Sequence, residues 1–375
     1  MEKVTNERKL DSIASALEDI RMGKLVIVVD DEDRENEGDF IVAAEHVTPE
    51  VINFMSKHGR GLICVAVTED ICRRLDLDLM VTNNTDPHKT AFTVSVDLLG
   101  HGCTTGISAH DRSKTVQALV NASFVSADFA RPGHIFPLKA KGGGVLRRTG
   151  HTEAAVDLAR LAGLHPAGAI VEIMNDDGTM ARLPQLMEIA DQFGLKLISI
   201  RDLIAYRLSQ ETLIEKVAES PISTTYGDFM IHGFRQTIEH KEYLALVMGN
   251  WSEDEVVSVR VHSSNMLSDI FNTLKDPHSS QLDAALRLIA HEGKGVLVYI
   301  NRLQPESGLL EEIQALVSQS EHRPAVMDSR DFGIGAQILR AVGVKKMHLI
   351  TNHPEMRRAG LDAYGLEIID CKPLQ

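Results

Sequence analysis

The sequence predicts a layered α/β protein of two domains, and two observations carry that expectation. Short apolar runs suited to buried strands alternate with amphipathic stretches at helical spacing, first over residues 10–200 and again from about residue 243. Between the two series lies "RLSQETLIEKVAESPISTTYGDF" (207–229), which is polar and loses the pattern. At 375 residues the chain is long for one core and comfortable for two. The expected domains are therefore 1–205 and 206–375.

The elements follow in order. Leu10, Ile13, Leu17 and Ile20 fall on one helical face, which Gly23 ends. "KLVIVV" (24–29) and "GLICVAVT" (61–68) read as buried strands, and "FTVSVDL" (92–98) alternates like a half-buried one. "SKTVQALVNA" and "TEAAVDLARLAG" read as helices, the second capped by Thr152 and Gly163. "AIVEIM" (169–174) is a strand, "RLPQLMEIADQFG" a helix ending at Gly194, and "LKLISI" a strand. Beyond the polar segment come "YLALVMG", "VVSVRVH", "SQLDAALRLIAHEG", "GVLVYI", "GAQILRAVG" and "KMHLIT", strands and helices once more.

A formal net charge of −14 argues against nucleic acid or an anionic membrane as the main partner. Four scattered cysteines without a CxxC pair suggest neither a disulfide framework nor a Cys-rich zinc site. The charged N-terminus has no apolar core, and no stretch approaches the ~18 apolar residues of a membrane span. The expected location is the cytoplasm.

"VVDDEDRENEGDF" (28–40) raises the functional question. Seven carboxylates, Asp30, Asp31, Glu32, Asp33, Glu35, Glu37 and Asp39, crowd into ten positions beside one cation, Arg34. One reading is a solvated acidic loop. The other is a site, because the run starts at the end of a buried strand, contains Gly38, and mixes an Arg with acids as a phosphate beside a divalent cation would require. Mg²⁺ takes only one or two protein carboxylates, so the acids cannot all be ligands. A second stretch, 131–163, holds His134, His151, Lys139, Lys141, Arg147 and Arg148. His151 stands at a helix start, where free N–H groups favour anions; a hydrogen-bonded structural histidine is the plainer reading. Glu172 lies in an apolar strand, where it is either paired and functional or turned to solvent from an edge.

"DDEDRENEGDF", "RPGHIFPL", "GGVLRRTGHTEAAVDLARLAG" and "EIMNDDGTMAR", in this order, closely resemble 3,4-dihydroxy-2-butanone 4-phosphate synthase over about residues 7–205. The resemblance implies a three-layer α/β/α fold and a Mg²⁺- or Mn²⁺-dependent lyase. It would turn D-ribulose 5-phosphate into 3,4-dihydroxy-2-butanone 4-phosphate and formate, as a homodimer with active sites near the subunit interface. By motif position it implies Glu35 and His151 as metal ligands. Arg34, Glu35, Asp39, Arg148, Thr149, Gly150, His151, Thr152 and Glu172 become substrate contacts, and His134 and Glu172 essential catalytic residues. Asp30 and Cys64 match further active-site positions.

"STTYGDFMIHGFR", "VRVHSSNMLSDIF", "DFGIGAQILRAVGV" and "MHLITNHPEMRRAGLDAYGLEI" resemble GTP cyclohydrolase II over about 212–372. Where that family has three zinc-binding cysteines, this chain has Asn265, Asp276 and His278, and "NRLQPESGLL" (301–310) replaces a Gly- and Arg-rich nucleotide segment. Asp328, Arg330 and Thr351 still match family positions. Zinc is therefore not expected. The expectation is a catalytically inactive second domain. The alternatives are a bifunctional enzyme that also acts as a GTP cyclohydrolase II, with another metal or nucleotide, or a nucleotide-sensing regulatory module.

Overall fold

The computed structural model describes residues 9–238, 241–264, 269, 281–300, 329–352 and 364–374, with 329–332 as backbone only. The chain divides into two compact units, residues 1–206 and 207–375.

The first unit holds strands β1 (Val26–Val29), β2 (Gly38–Ala43), β3 (Cys64–Val67), β4 (Val96–Leu98), β5 (Phe129–Lys139), β6 (Ala167–Glu172) and β7 (Lys196–Ser199), and helices α1 (Ile13–Arg21), α2 (Pro49–Phe54), α3 (Glu69–Arg74), α4 (Ala109–Val120), α5 (His151–Leu161), α6 (Leu183–Phe193) and α7 (Ile200–Gln210). The strands make one mixed sheet in the order β4-β5-β3-β6-β2-β1-β7. Alternate residues of its central strands point to opposite faces. Ile27, Phe40, Val42, Val65, Val67, Ala169 and Val171 point to one face and share a core with Ile52 of α2, Leu119 of α4 and Leu186 of α6. On the other face lie α1 and α5, whose Leu17, Ile20, Ala155 and Leu158 are buried. Both faces are covered, which explains why β1 and β3 read as continuous apolar runs.

Local chemistry sets the element ends. Ser12 caps α1 by accepting the Ser15 N–H, so the helix begins three residues after Leu10. The N-cap of α5 is Gly150, and Thr152 lies buried inside the helix, so Thr152 is not the cap. Of "FTVSVDL" only Val96–Leu98 is a strand; Phe92 and Thr93 make isolated bridges. Both β2 and β5 lie outside the strand pattern read from the sequence. β2 continues directly from the acidic run, and β5 carries Pro132, Gly133 and Pro137, residues that ordinarily break strands.

The second unit holds β8 (Ile214–Thr224), β9 (Gly227–Gln236), β10 (Glu242–Met248), β11 (Val256–Ser263), β12 (Gly295–Ile300), β13 (Lys346–Ile350) and β14 (Glu367–Lys372), with helices α8 (Gln281–Glu292) and α9 (Ser329–Ala341). Its sheet order is β14-β13-β11-β12-β10-β9-β8. The polar segment read as a patternless boundary is largely the antiparallel hairpin β8–β9. β8 is the edge strand and is exposed on both sides along most of its length. Neither face is buried, so no alternation marks it.

Candidate active site

The acidic run is the loop of the β1–β2 hairpin. Val29 pairs with Gly38, and residues 30–37 span the turn. Asp30 organises it: its carboxylate accepts the N–H groups of Glu37 (2.8 Å) and Glu35 (3.1 Å) and the Arg34 guanidinium (2.9 Å). A fully covered carboxylate is costly without such donors, and the Asp30 side chain is 0% exposed. Asp31 turns outward to Arg201 at 2.7 Å, and Glu32 and Asp33 are exposed. Glu35, Glu37 and Asp39 turn inward with Asp30. The loop thus divides into a solvated half and an inward-facing half.

His151 opens α5 directly opposite. Its Nε2 lies 3.1 Å from the Val28 carbonyl oxygen, so Nε2–H donates there and Nδ1 faces the acids. Nδ1 stands 3.7 Å from Glu35 and 3.9 Å from Asp39. Burial disfavours the imidazolium, but Asp39, Glu35 and Asp30 outweigh it and raise its pKa to about 9. Burial likewise opposes charge on Glu35, yet His151 and Arg34, the latter at 2.5 Å, hold it down to about 2. Asp39 is buried, and burial pushes it up to about 7, with Glu172 and Glu35 adding to the rise against the pull of His151.

Asp39 pairs in register with Glu172 of β6, so both side chains leave the sheet on one face. Glu172 Oε2 accepts the Leu62 N–H at 2.9 Å. β3 runs antiparallel to β6, which brings Cys64 to the same edge. Burial, then Glu172 and Asp39, push the Cys64 thiol well up, so it stands there as a neutral group rather than a nucleophile.

The structure therefore brings together Asp30, Arg34, Glu35, Asp39, Cys64, His151 and Glu172. Thr149 is half-buried beside Gly150. Arg148 is engaged by the protein: it pairs with Glu153 at 2.6 Å and donates to the His88 carbonyl and to Thr90. His134 touches none of the loop acids among the described residues; its imidazole meets Asp97 at 2.6 Å. Sequence reasoning passed over Arg182, which donates to the carbonyls of Glu35 and Asn36, and His88, 4.0 Å from Glu35. Arg182 ends a motif already singled out; His88 carried no signal. Asn265, Asp276, His278, the segment 301–310 and Asp328 lie outside the described residues, as does the Arg330 side chain. Thr351 follows β13, and its N–H donates to the Lys372 carbonyl.

Acids of the β1–β2 hairpin thus face a histidine at a helix start, with ligand atoms of Asp30, Glu35 and His151 close together. The family model of 3,4-dihydroxy-2-butanone 4-phosphate synthase matches residues 14–206, and that of GTP cyclohydrolase II matches residues 215–373. The riboflavin biosynthesis protein RibBA of Cytophaga hutchinsonii is 56% identical, covering 98% of this chain and 93% of its own. That of Aquifex aeolicus is 52% identical with the same coverage. Among solved structures, RibBX of A. baumannii, described as a two-domain 3,4-dihydroxy-2-butanone 4-phosphate synthase, is 40% identical with a TM-score of 0.79, over 96% of this chain and 99% of that one. A 3,4-dihydroxy-2-butanone 4-phosphate synthase crystallised with two magnesium ions is 43% identical with a TM-score of 0.52, over 54% of this chain and 98% of that one.

The chain belongs to the 3,4-dihydroxy-2-butanone 4-phosphate synthase family, joined to a domain of the GTP cyclohydrolase II family. It is a lyase of riboflavin biosynthesis. The expectation of an inactive second domain is corrected by these findings. The cyclohydrolase pattern runs through residues 215–373, and relatives named RibBA align across both halves. They favour the reading in which the chain also acts as a GTP cyclohydrolase II.

Proposed function

We propose that residues 1–206 convert D-ribulose 5-phosphate into 3,4-dihydroxy-2-butanone 4-phosphate and formate with Mg²⁺ or Mn²⁺, and that residues 207–375 act as a GTP cyclohydrolase II. The observation that carries the first half is the facing pair Glu35 and His151. Ligand atoms of Asp30, Glu35 and His151 lie within 4.8 Å of one another. Both oxygens of Asp30 are taken up by three donors, whereas Arg34 meets only Oε2 of Glu35, which favours Glu35 and the His151 Nδ1 as the ligands. Two protein ligands with space for water and substrate oxygens fit a hard divalent cation. When bound, the cation supplies a positive centre that stabilises negative charge developing on substrate oxygens.

The chain's own residues do the rest. Arg34 and Asp30 hold the loop so that Glu35 faces His151. The first turn of α5 leaves the N–H groups of His151, Thr152 and Glu153 without partners inside the helix, and these suit the substrate phosphate. Asp39, raised to about 7, takes up or returns a proton near neutral pH, with Glu172 across the strand pair. His134 moves a proton at its own imidazole.

Cation binding should expel a proton. Without metal, His151 is mostly charged below about pH 9, and a ligand imidazole must be neutral. At about pH 8 Asp39 is already largely ionised, so titration with Mg²⁺ should release close to one proton per ion. Apparent affinity should rise with pH up to about 9 and then level. Proton-neutral binding at that pH would remove His151 from the ligand set.

The second half rests on the family match of residues 215–373. No cysteine lies between Cys103 and Cys371, so its metal is not held by three thiolates. His262 is one described imidazole there: buried, with Nε2 on Asp269 at 2.8 Å and no hydrogen-bond partner at Nδ1 among the described residues. The purified chain should release formate and pyrophosphate from GTP, and a chelator should stop it. No turnover across Mg²⁺, Mn²⁺ and Zn²⁺ would contradict the assignment. The homodimer and the cytoplasmic location belong to the same proposal; among the described residues no helix is long and apolar enough to cross a membrane.

A further inference from the structure

We propose that Asp97 is a positioning residue that fixes the tautomer and direction of the His134 imidazole, so that Nε2 presents a lone pair for proton transfer. This rests on the reading of His134 as a proton-transfer group in the lyase reaction. The pairing of β4 with β5 is broken in register: Val96 pairs with Ile135, while the next residue, Asp97, pairs with Ala130. Residues 131–134 are therefore looped out of the sheet, and such bulges re-aim side chains. Asp97 holds the end of the excursion with both carboxylate oxygens. Oδ1 accepts the His134 backbone N–H at 2.8 Å, and Oδ2 lies 2.6 Å from Nδ1.

An ionised carboxylate only accepts hydrogen bonds, so the proton between the two groups sits on Nδ1. In the neutral ring Nε2 is then a free acceptor. The side chain of His134 is 43% exposed while that of Asp97 is 14% exposed, so the ring reaches out and its anchor stays in. The surroundings are shaped around the pair. A Cβ on Gly106 would stand 2.1 Å from Asp97 Oδ2 and 2.7 Å from His134 Nδ1, and one on Gly133 would strike the backbone of Val96. The Gly106 loop is pinned by buried Asp111, which accepts the N–H groups of Thr104 and Gly106 and the Thr104 hydroxyl. A carboxylate fixed behind an imidazole in this way selects its tautomer by accepting the proton of one ring nitrogen and leaving the other as the acceptor.

The test uses the full chain with Mg²⁺ and compares Asp97→Asn, Asp97→Ala and His134→Gln. Two readouts are taken: kcat and KM for D-ribulose 5-phosphate, and the imidazole ¹⁵N shifts of His134 followed across a pH series. In the unaltered protein the shifts should report Nδ1–H. Asn can donate to Nδ1, so Asp97→Asn should switch the ring to Nε2–H and lower kcat about 100-fold, with KM within about threefold. Asp97→Ala should leave mixed tautomers and a similar loss; if it does not fold, Asp97→Asn alone carries the test. Unchanged tautomer and kcat in Asp97→Asn would overturn the proposal, as would a loss confined to KM. A fully active His134→Gln would overturn the reading of His134 as a proton-transfer group and with it the catalytic part of the proposal, while the tautomer measurement in Asp97→Asn separately decides whether Asp97 sets the ring.

Discussion

Glu35→Ala and His151→Ala should each abolish formate release from D-ribulose 5-phosphate while the protein stays folded. Neither residue belongs to the apolar core: Glu35 is on the loop at the end of the β1–β2 hairpin, and His151 is the first residue of α5. His151→Ala removes the bond from Nε2–H to Val28, a net loss of about 1 kcal/mol, and also takes away the positive charge that Asp39 and Glu35 face, so Asp39 should titrate higher still. Glu35→Ala frees Arg34, which keeps Asp30 as a partner. The catalytic loss is of another order. A cation that stabilises developing negative charge contributes several kcal/mol, and each 1.36 kcal/mol is about tenfold in rate. Activity should fall at least about 1,000-fold in either variant, with the protein still folded and with His151→Ala the less stable of the two near neutral pH. Near-normal turnover in either one would remove it from the metal site.

Glu172→Gln gives the second large effect. Gln keeps the acceptor that holds the Leu62 N–H, so the local backbone has no reason to move. What changes is charge beside Asp39. Glu172 helps keep the Asp39 carboxyl raised, so without it Asp39 should titrate lower, closer to an ordinary carboxylate. A proton carrier displaced from neutrality and a lost carboxylate together should lower kcat by more than about 100-fold. Stability should shift by less than about 1 kcal/mol, as for a replacement that preserves shape and hydrogen bonding. A loss under about tenfold would make Glu172 a residue that only positions its neighbours.

Much of the site was legible because its residues cluster along the chain. The run 30–39 and the stretch 148–152 each form a local unit, and their order matched a known family. What could not be read are the contacts that join distant segments. Nothing in the sequence marks Asp97 as the partner of His134, 37 residues away, or Arg182 as a clamp on the backbone of Glu35. The division of the seven acids into inward and outward halves was hidden for the same reason. It depends on how Asp30 folds the loop around its own carboxylate, and not on composition. β5 was obscured by its prolines and glycine, which the bulge at 131–134 accommodates. β8 was obscured by its exposure on both faces.

The central claim is that Glu35 and His151 hold the cation of the lyase reaction. Crystals of the full chain soaked with Mn²⁺ would test it through the anomalous signal of the metal. The expected result is a peak between the Glu35 carboxylate and the His151 Nδ1, absent from crystals of His151→Ala. A peak found instead at the exposed acids Asp31, Glu32 and Asp33, with Glu35 still paired to Arg34, would contradict it.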